Sequence, residues 1–292
     1  MRVLSGKPVV DALSAGLETQ LAAFRQVRGR APRLDVILVG DDPASHLYVR
    51  NKRREADRLG ITQNLHLFSA DTSASEVRRR VDELNHDDTV DAVLIQRPLP
   101  ASFNLSEVSS WIDPSKDVDA FNPSLLGRLC LGIPALAPCT PSGILALLSH
   151  YGLTVAGKTA CVVGRSPIVG KPLAAMLLNA DATVIQCHKK TERLADHTSQ
   201  ADLLFVAAGS PRLIGREHVK PGAVVIDVGI HKRADGTWCG DVRAEDLAGH
   251  ASAISPVPGG VGPLTIFMLM KNVVSAAQAR LDTGSNTRIR EP

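Results

Sequence analysis

Hydrophobic positions along the chain fall into two alternating patterns, short continuous apolar runs and longer runs with three- to four-residue spacing. The first pattern is typical of buried strands and the second of amphipathic helices. Because the two alternate regularly, they predict parallel sheets covered by helices, an α/β fold. The predicted strands are 34–39, 64–68, 92–95, 160–163, 183–186, 203–207 and 224–228, and the longer predicted helices are 8–27, 75–84, 144–151 and 264–281.

Two stretches break this alternation. Residues 113–140 are irregular and rich in proline, which is typical of a hinge between two domains. Asp113, Asp117 and Asp119 fall in this stretch, but their spacing lacks the glycine and the terminal glutamate of a calcium loop. We therefore predict caps and turns there and no metal site. Residues 282–292 are polar and are expected to be disordered.

The clearest single feature is a predicted strand, turn and helix in the middle of the chain. An apolar run ends at Gly164, and helical spacing begins at Val169. Gly170 permits close approach of a ligand, and a helix N-terminus offers free N–H donors that suit a phosphate. Because the usual dinucleotide fingerprint has three glycines, an ordinary strand-to-helix turn is an equal alternative.

Cations near the next strand favour one kind of cofactor. A dinucleotide fold usually places an acidic residue after this strand, where it holds the ribose 2′-hydroxyl. Here Lys189 and Lys190 follow the 183–186 strand, and Arg165 follows the glycine turn. Positive charge without a competing carboxylate favours the 2′-phosphate of NADP over NAD. The competing interpretation is that exposed lysines are simply common.

Length and composition limit the possible functions. A chain of 292 residues with 44% apolar residues is long enough for two domains. The formal charge of +3, without a lysine-rich block or interleaved aromatics, argues against nucleic-acid binding and is compatible with anionic small ligands. The five cysteines form no C-x-x-C pair and no apolar run reaches membrane-spanning length, so we predict a cytoplasmic protein without membrane contact or structural zinc.

Three polar residues in the first half are candidates for a ligand cleft. Tyr48 and Lys52 lie one helical turn apart on a predicted helix that ends near residue 59. Gln96 stands at the carboxyl end of the 92–95 strand, where ligands of parallel sheets usually bind. The competing interpretations are a core tyrosine, a solvated lysine and a strand cap, and the residues alone do not decide between them.

Six segments in a fixed order carry a resemblance to a known family. They are Asp42-Pro-Ala-Ser-His-Leu-Tyr-Val-Arg-Asn-Lys52, Lys116-Asp-Val-Asp119, Pro138-Cys-Thr-Pro-Ser-Gly143, Gly164-Arg-Ser-x-x-Val-Gly-x-Pro172, Asp227-Val-Gly-Ile230 and Pro256-Val-Pro-Gly-Gly-Val-Gly-Pro263. Together they are far more specific than any one alone. The sequence resembles the bifunctional methylenetetrahydrofolate dehydrogenase/methenyltetrahydrofolate cyclohydrolase family over about residues 3–281.

The resemblance implies a role for each candidate residue. Tyr48 and Lys52 line a folate cleft, with Tyr48 packed against the aminobenzoate ring and Lys52 acting in catalysis. Gln96 holds Lys52, so these three form the expected catalytic group, and Asp119 binds the pterin. The expected other wall of the cleft is Pro258, Gly259, Gly260 and Val261, and the expected NADP contacts are Gly164, Arg165, Ser166, Val169, Gly170, Lys189 and Ile230.

The resemblance also implies the activity and the architecture. Hydride passes from 5,10-methylenetetrahydrofolate to NADP, and water then opens the methenyl cation to 10-formyltetrahydrofolate. A permanently charged ammonium would repel that cation, so Lys52 is expected to be partly neutral when it assists proton transfer. The expected domains are 1–137 with 265–292, which bind folate and include the returning C-terminal helix, and a Rossmann-like 138–264, which binds NADP, in a homodimer.

The chain departs from the family pattern at several positions. Arg97 stands where leucine is common after the glutamine, Ala120 where glycine usually follows the aspartate, and His231 where asparagine is common. Lys189 replaces a frequent serine near the 2′-phosphate. Two other classes remain as alternatives: an NADP-linked oxidoreductase with another substrate or only one of the two activities, and a nucleotide- or folate-binding protein without turnover.

Overall fold

The computed structural model describes residues 1–286, with side chains to residue 281. The described helices are α1 (Gly6–Arg28), α2 (Pro43–Leu59), α3 (Ala74–His86), α4 (Leu105–Val108), α5 (Pro123–Cys130), α6 (Cys139–His150), α7 (Gly170–Asn179), α8 (Leu194–Thr198) and α9 (Val261–Asn286). The described strands are β1 (Arg2–Val3), β2 (Arg33–Val39), β3 (Thr62–Phe68), β4 (Ala92–Ile95), β5 (Thr159–Val163), β6 (Thr183–Cys187), β7 (Leu203–Val206), β8 (Val224–Asp227), β9 (His231–Lys232), β10 (Trp238–Cys239) and β11 (Ala253–Ile254).

The chain divides into two compact units. Unit 1 comprises residues 1–12, 128–134 and 138–265. Unit 2 comprises residues 13–127 and 135–137 together with the described residues from 266 onward. The C-terminal part of α9 therefore belongs to the same unit as the first half of the chain, and this division confirms the predicted two-domain α/β class.

Unit 1 is built on a six-stranded parallel sheet with the order β1-β11-β8-β7-β5-β6. Its inner strands β7 and β8 are buried along their whole length, as expected of parallel strands covered on both faces. Alternate residues of β5 contribute to different cores, because successive side chains point to opposite faces. Val162 packs in a cluster with Leu147 of α6 and Leu177 of α7, whereas Val163 joins a second cluster with Val225 of β8.

Unit 2 contains a three-stranded parallel sheet with the order β3-β2-β4. Helix α3 covers one face, where Val77 and Val81 cluster with Ile37 of β2 and Val93 of β4. The side chain of Asn272 in α9 donates hydrogen bonds to two backbone carbonyls of the unit, those of residues 118 and 137. None of the helices within residues 1–286 is both long and apolar enough to cross a membrane.

The predicted strands and long helices are confirmed, and the differences concern short or irregular segments. The stretch 113–140 contains α5, so the prediction of an irregular chain is wrong for residues 123–130. Strands β1 and β11 have two residues each, which is too short to leave a periodic pattern. Helix α9 extends to Asn286, so it includes residues 282–286 of the segment predicted to be disordered. The remaining residues of that prediction, 287–292, lie outside the described chain.

Candidate active site

The candidate tyrosine and lysine lie on α2 in unit 2. This helix begins after Asp42, whose carboxylate accepts the N–H of Ser45 at 2.8 Å, and it ends at Gly60 with φ 66°. Lys52 is 9% exposed, whereas Tyr48, one turn earlier, is 43% exposed. The helix therefore buries the ammonium-bearing side chain and leaves the phenol ring accessible to a ligand.

Lys52 and Gln96 are in direct contact. The Nζ of Lys52 donates a hydrogen bond to the Oε1 of Gln96 at 3.0 Å, and both side chains are buried. The Nε2 of Gln96 donates to the backbone carbonyl of Arg97 at 2.5 Å, so the amide oxygen faces the lysine. Gln96 follows β4, and its N–H donates to the carbonyl of Ile37 in β2. The sheet itself therefore positions the amide that holds the lysine.

Asp119 lies within a turn that its buried neighbours anchor. The fully buried Lys116 donates from Nζ to three carbonyls at the end of α3, at 2.7 to 2.9 Å. Asp117 accepts the N–H groups of Ala120 and Asn122 at 3.1 and 2.7 Å, so this aspartate serves a turn as predicted. These buried contacts fix the backbone on both sides of Asp119, whose side chain is half-buried.

Burial dominates the titration of the two carboxyls. It raises the pKa of Asp119, and the cations of Lys52 and Arg97 oppose this rise. Burial also raises the pKa of Asp117 to about 7, although hydrogen bonds from backbone N–H groups oppose it. We use the name unit 2 cluster for the group formed by Lys52, Gln96, Arg97, Asp117 and Asp119.

In unit 1, the turn between β5 and α7 packs its glycines directly against neighbouring backbone. Gly164 has φ 126°, and a Cβ there would collide with the carbonyl oxygen of Ala207. A Cβ at Gly170 would collide with the carbonyl oxygen of Gly164. The Oγ of Ser166 accepts the N–H groups of Val169 and Gly170 at 3.2 and 3.3 Å. The serine hydroxyl thus satisfies two donors at the helix start that the sequence predicts to be free.

Exposed cations stand at the same edge of the sheet. Strands β5 and β6 are parallel neighbours, so Arg165, after β5, and Lys189, after β6, follow adjacent strand ends. Lys189 lies in a turn closed by a hydrogen bond from the N–H of Thr191 to the carbonyl of His188 at 2.7 Å. Within residues 1–281, no carboxylate forms an ion pair with Arg165 or Lys189. Both cations are therefore available to an anionic ligand such as a 2′-phosphate.

Asp241, which sequence analysis did not single out, organises the loops beside this edge. Its fully buried carboxylate accepts the N–H groups of residues 208–210 at 2.7 to 3.0 Å. The Nε2 of His231 lies 2.7 Å from the same carboxylate. Ile230, a predicted cofactor contact, directly precedes His231 and is 45% exposed. No sequence pattern marks Asp241, because its loop partners stand 31 to 33 positions earlier.

The predicted glycine-rich wall, residues 258–261, belongs to unit 1. The N–H of Gly6 donates to the carbonyl of Gly259 at 2.8 Å, and a Cβ at Gly6 would collide with the carbonyl oxygen of Gly260. Gly259 has φ 101° and is exposed, so its backbone is open to a ligand. The structure thus places this segment in unit 1 and the candidate folate residues Tyr48, Lys52, Gln96 and Asp119 in unit 2, where Lys52 contacts Gln96.

The fold and these sites define an α/β enzyme of the dinucleotide-binding class. Unit 1 has the parallel sheet, the tight glycine turn into a helix and the flanking cations of such a domain. Residues 138–281 match the family model of the tetrahydrofolate dehydrogenase/cyclohydrolase NAD(P)-binding domain, and residues 4–119 match that of the catalytic domain. The chain belongs to the tetrahydrofolate dehydrogenase/cyclohydrolase family.

Similar proteins cover nearly the whole chain. The "Bifunctional protein FolD" of Bdellovibrio bacteriovorus is 47% identical over 279 residues, which are 95% of this chain and 97% of that protein. The crystal structure of the bifunctional FolD enzyme of Campylobacter jejuni is 42% identical with a TM-score of 0.93, covering 96% of this chain and 99% of that one. The Trypanosoma brucei FolD structure, complexed with NADP cofactor and inhibitor, is 34% identical with a TM-score of 0.90, covering 96% and 98%.

Proposed function

We propose that this protein is an NADP-dependent methylenetetrahydrofolate dehydrogenase and methenyltetrahydrofolate cyclohydrolase. It oxidises 5,10-methylenetetrahydrofolate to 5,10-methenyltetrahydrofolate and then hydrolyses this product to 10-formyltetrahydrofolate. The observation that carries the proposal is the match of two regions, residues 4–119 and 138–281, to the two domains of one family. The buried contact between Lys52 and Gln96 supports it at the level of side chains.

The cofactor residues proposed here lie in unit 1. NADP, when bound, accepts the hydride that the one-carbon bridge of the substrate gives up. The tight turn into α7, where a Cβ at Gly164 or Gly170 would collide with a neighbouring carbonyl oxygen, supports a pyrophosphate position at the start of this helix. The exposed ammonium of Lys189 supports recognition of the 2′-phosphate. The residues proposed to hold the cofactor are Gly164, Arg165, Ser166, Val169, Gly170, Lys189 and Ile230.

The substrate chemistry is proposed for unit 2. Lys52 moves a proton while water adds to the methenyl carbon, and Gln96 holds its Nζ at 3.0 Å without adding charge. Because a full positive charge would oppose the cationic substrate, Lys52 acts in part as a neutral amine. Tyr48 packs against the aminobenzoate ring and Asp119 binds the pterin. The wall formed by Pro258, Gly259, Gly260 and Val261 is proposed to contact folate as well.

A spectroscopic assay of purified protein tests the function. The protein is mixed with 5,10-methylenetetrahydrofolate and either NADP or NAD, and reduced cofactor and methenyl product are followed separately. We expect reduction of NADP without matching accumulation of the methenyl compound, because the second activity removes it. Faster reduction of NAD than of NADP would contradict the cofactor assignment.

The same assay separates the alternatives. Accumulating methenyl product indicates a dehydrogenase without effective hydrolysis. Hydrolysis of added methenyltetrahydrofolate without any cofactor reduction indicates a cyclohydrolase alone. Calorimetric binding of NADP or folate without turnover indicates a binding protein, which contradicts the proposal.

Domain roles, assembly and location complete the proposal. Residues 1–137 with 265–292 are proposed to bind folate and residues 138–264 to bind NADP, while residues 1–12 and 128–134 cluster with unit 1. The family resemblance supports a homodimer, which sedimentation of the full chain tests. Five free cysteines support the reducing environment of the cytoplasm.

A further inference from the structure

We propose that Arg97 is a positioning residue that keeps the carboxyl of Asp119 ionised for substrate binding. This inference rests on the proposed function, because it concerns the role of Asp119 in holding the pterin. Arg97 is the position where the family commonly has leucine. The leucine side chain carries no charge, so the effect would be particular to chains that share this arginine.

The guanidinium of Arg97 is held in place by two neutral groups. Its Nη2 donates a hydrogen bond to the Oγ of Ser109 at 2.8 Å. Its Cζ lies 5.0 Å from the centroid of the Phe121 ring, within cation–π distance. The side chain is half-buried, and within residues 1–281 no carboxylate forms an ion pair with it. The charge is therefore fixed in position but not neutralised by direct contact.

A small cavity connects this cation to the carboxyls of the unit 2 cluster. Arg97, Ser109, Asp117, Asp119 and Phe121 all line it. Its volume is about 20 Å³, enough for about one water molecule. Because Arg97 and Asp119 line the same pocket and are both half-buried, solvent screens the field of the guanidinium at Asp119 less than it would at an exposed site.

Two cations, Lys52 and Arg97, act on the carboxyl of Asp119, and Arg97 is the one with a permanent charge. Lys52 approaches from α2, Arg97 from the segment after β4, and Asp117 from the same turn as Asp119 itself. Burial raises the pKa of Asp119, and Lys52 and Arg97 both lower it. The proposed hydrolysis requires Lys52 to be neutral for part of the cycle. Arginine stays charged throughout, so it maintains the carboxylate when Lys52 does not.

Carbon-13 NMR of the aspartate carboxyls tests the inference directly. The Asp119 signal is assigned with Asp119→Asn and titrated in wild type, Arg97→Leu, Arg97→Gln and Arg97→Lys. We expect the Asp119 pKa to rise by about one pH unit or more in the Leu and Gln variants, and to return toward wild type in Arg97→Lys. Arg97→Gln keeps an N–H donor for Ser109, so it separates loss of charge from loss of packing.

Activity gives a second measurement. The acid limb of kcat/KM for methylenetetrahydrofolate should move upward with the Asp119 pKa, mainly through KM. Arg79→Leu is the matched control, because Arg79 is exposed on α3 and pairs with Glu83 of the same helix. An Asp119 titration that is the same in all Arg97 variants overturns the inference. Wild type without turnover overturns the proposed function instead, and the NMR titration still decides the role of Arg97.

Discussion

At the level of single residues, unit 2 uses two buried lysines in opposite ways. Lys116 has three N–H donors and gives one to each of three carbonyls at the end of α3, so its ammonium is fully satisfied. Lys52 donates to one neutral amide oxygen, that of Gln96, among the contacts of residues 1–281. Lys116 therefore stabilises the fold, whereas Lys52 retains N–H donors for a ligand.

Replacement of the second lysine tests its chemical role. Lys52→Met keeps most of the side-chain volume but removes the amine, so we expect cyclohydrolase kcat to fall at least about 100-fold. Hydrolysis of methenyltetrahydrofolate, followed by loss of its absorbance, measures the effect. Lys158→Met, at an exposed lysine, serves as the control. Full cyclohydrolase activity in Lys52→Met would refute the assignment.

Ala120 carries backbone strain beside the candidate pterin ligand. Its φ of 58° is left-handed, a conformation that glycine adopts without cost and alanine at about 1 kcal/mol. The departure from the glycine that is usual at this position is thus tolerated, because the methyl group is small and fully buried.

A larger residue at this position should not be tolerated. We expect Ala120→Val to lower the free energy of unfolding by about 2 kcal/mol or more, since a β-branched side chain fits the left-handed region poorly. Ala120→Gly should stay within about 1 kcal/mol of wild type, because relief of strain and loss of the buried methyl group oppose each other. Urea denaturation measures both. Equal stability of the two variants would contradict this account.

At the level of elements, the carboxyl ends of β5 and β6 carry the features that suggest a cofactor site. The sequence already indicates both strands, the glycines and the cations, because each leaves a local signal. The sequence does not reveal that the Oγ of Ser166 accepts the N–H groups of Val169 and Gly170 at the start of α7, since a serine in a turn has many possible partners. Asp241 is also missed, and so are β1 and β11, whose pairing joins distant parts of the chain. The missed features β1, β11 and Asp241 all depend on contacts between residues that are far apart in the sequence.

The turn after β6 should control the choice of cofactor. Lys189→Ser removes an exposed positive charge next to the proposed 2′-phosphate position. We expect kcat/KM for NADP to fall about 5- to 10-fold, a modest effect because solvent screens the charge, while the value for NAD changes little. Steady-state kinetics with both cofactors measures the ratio. A parallel fall for NADP and NAD would argue against contact with the phosphate.

At the level of the whole molecule, each unit holds a buried aspartate whose pKa lies well above that of an unfolded aspartate. Burial raises the pKa of Asp117 in unit 2 to about 7 and that of Asp227 in unit 1 to about 6. An unfolded aspartate has a pKa of about 3.9. Between these values the folded chain binds more protons than the unfolded chain, so stability decreases as pH rises.

This linkage predicts how steeply the free energy of unfolding falls with pH, and it assigns part of that slope to each carboxyl. Each group contributes up to about 1.4 kcal/mol per pH unit, from about pH 4 to about pH 7 for Asp117 and to about pH 6 for Asp227. Urea denaturation across this range measures it. Asp117→Asn and Asp227→Asn should each flatten the curve within the window of the residue replaced. A slope that neither variant changes would contradict the prediction.

The carboxylate of Asp241 has a consequence for how the protein tolerates mutation. One side chain satisfies three consecutive backbone donors and also contacts His231. The loop at 208–210 contributes only main-chain N–H groups to this arrangement, so the contact with Asp241 does not depend on its side chains. In a library of all single substitutions, position 241 should accept almost nothing but aspartate, while position 210 accepts many residues. The conformation of this loop is therefore encoded mainly at position 241, 31 to 33 residues later in the chain.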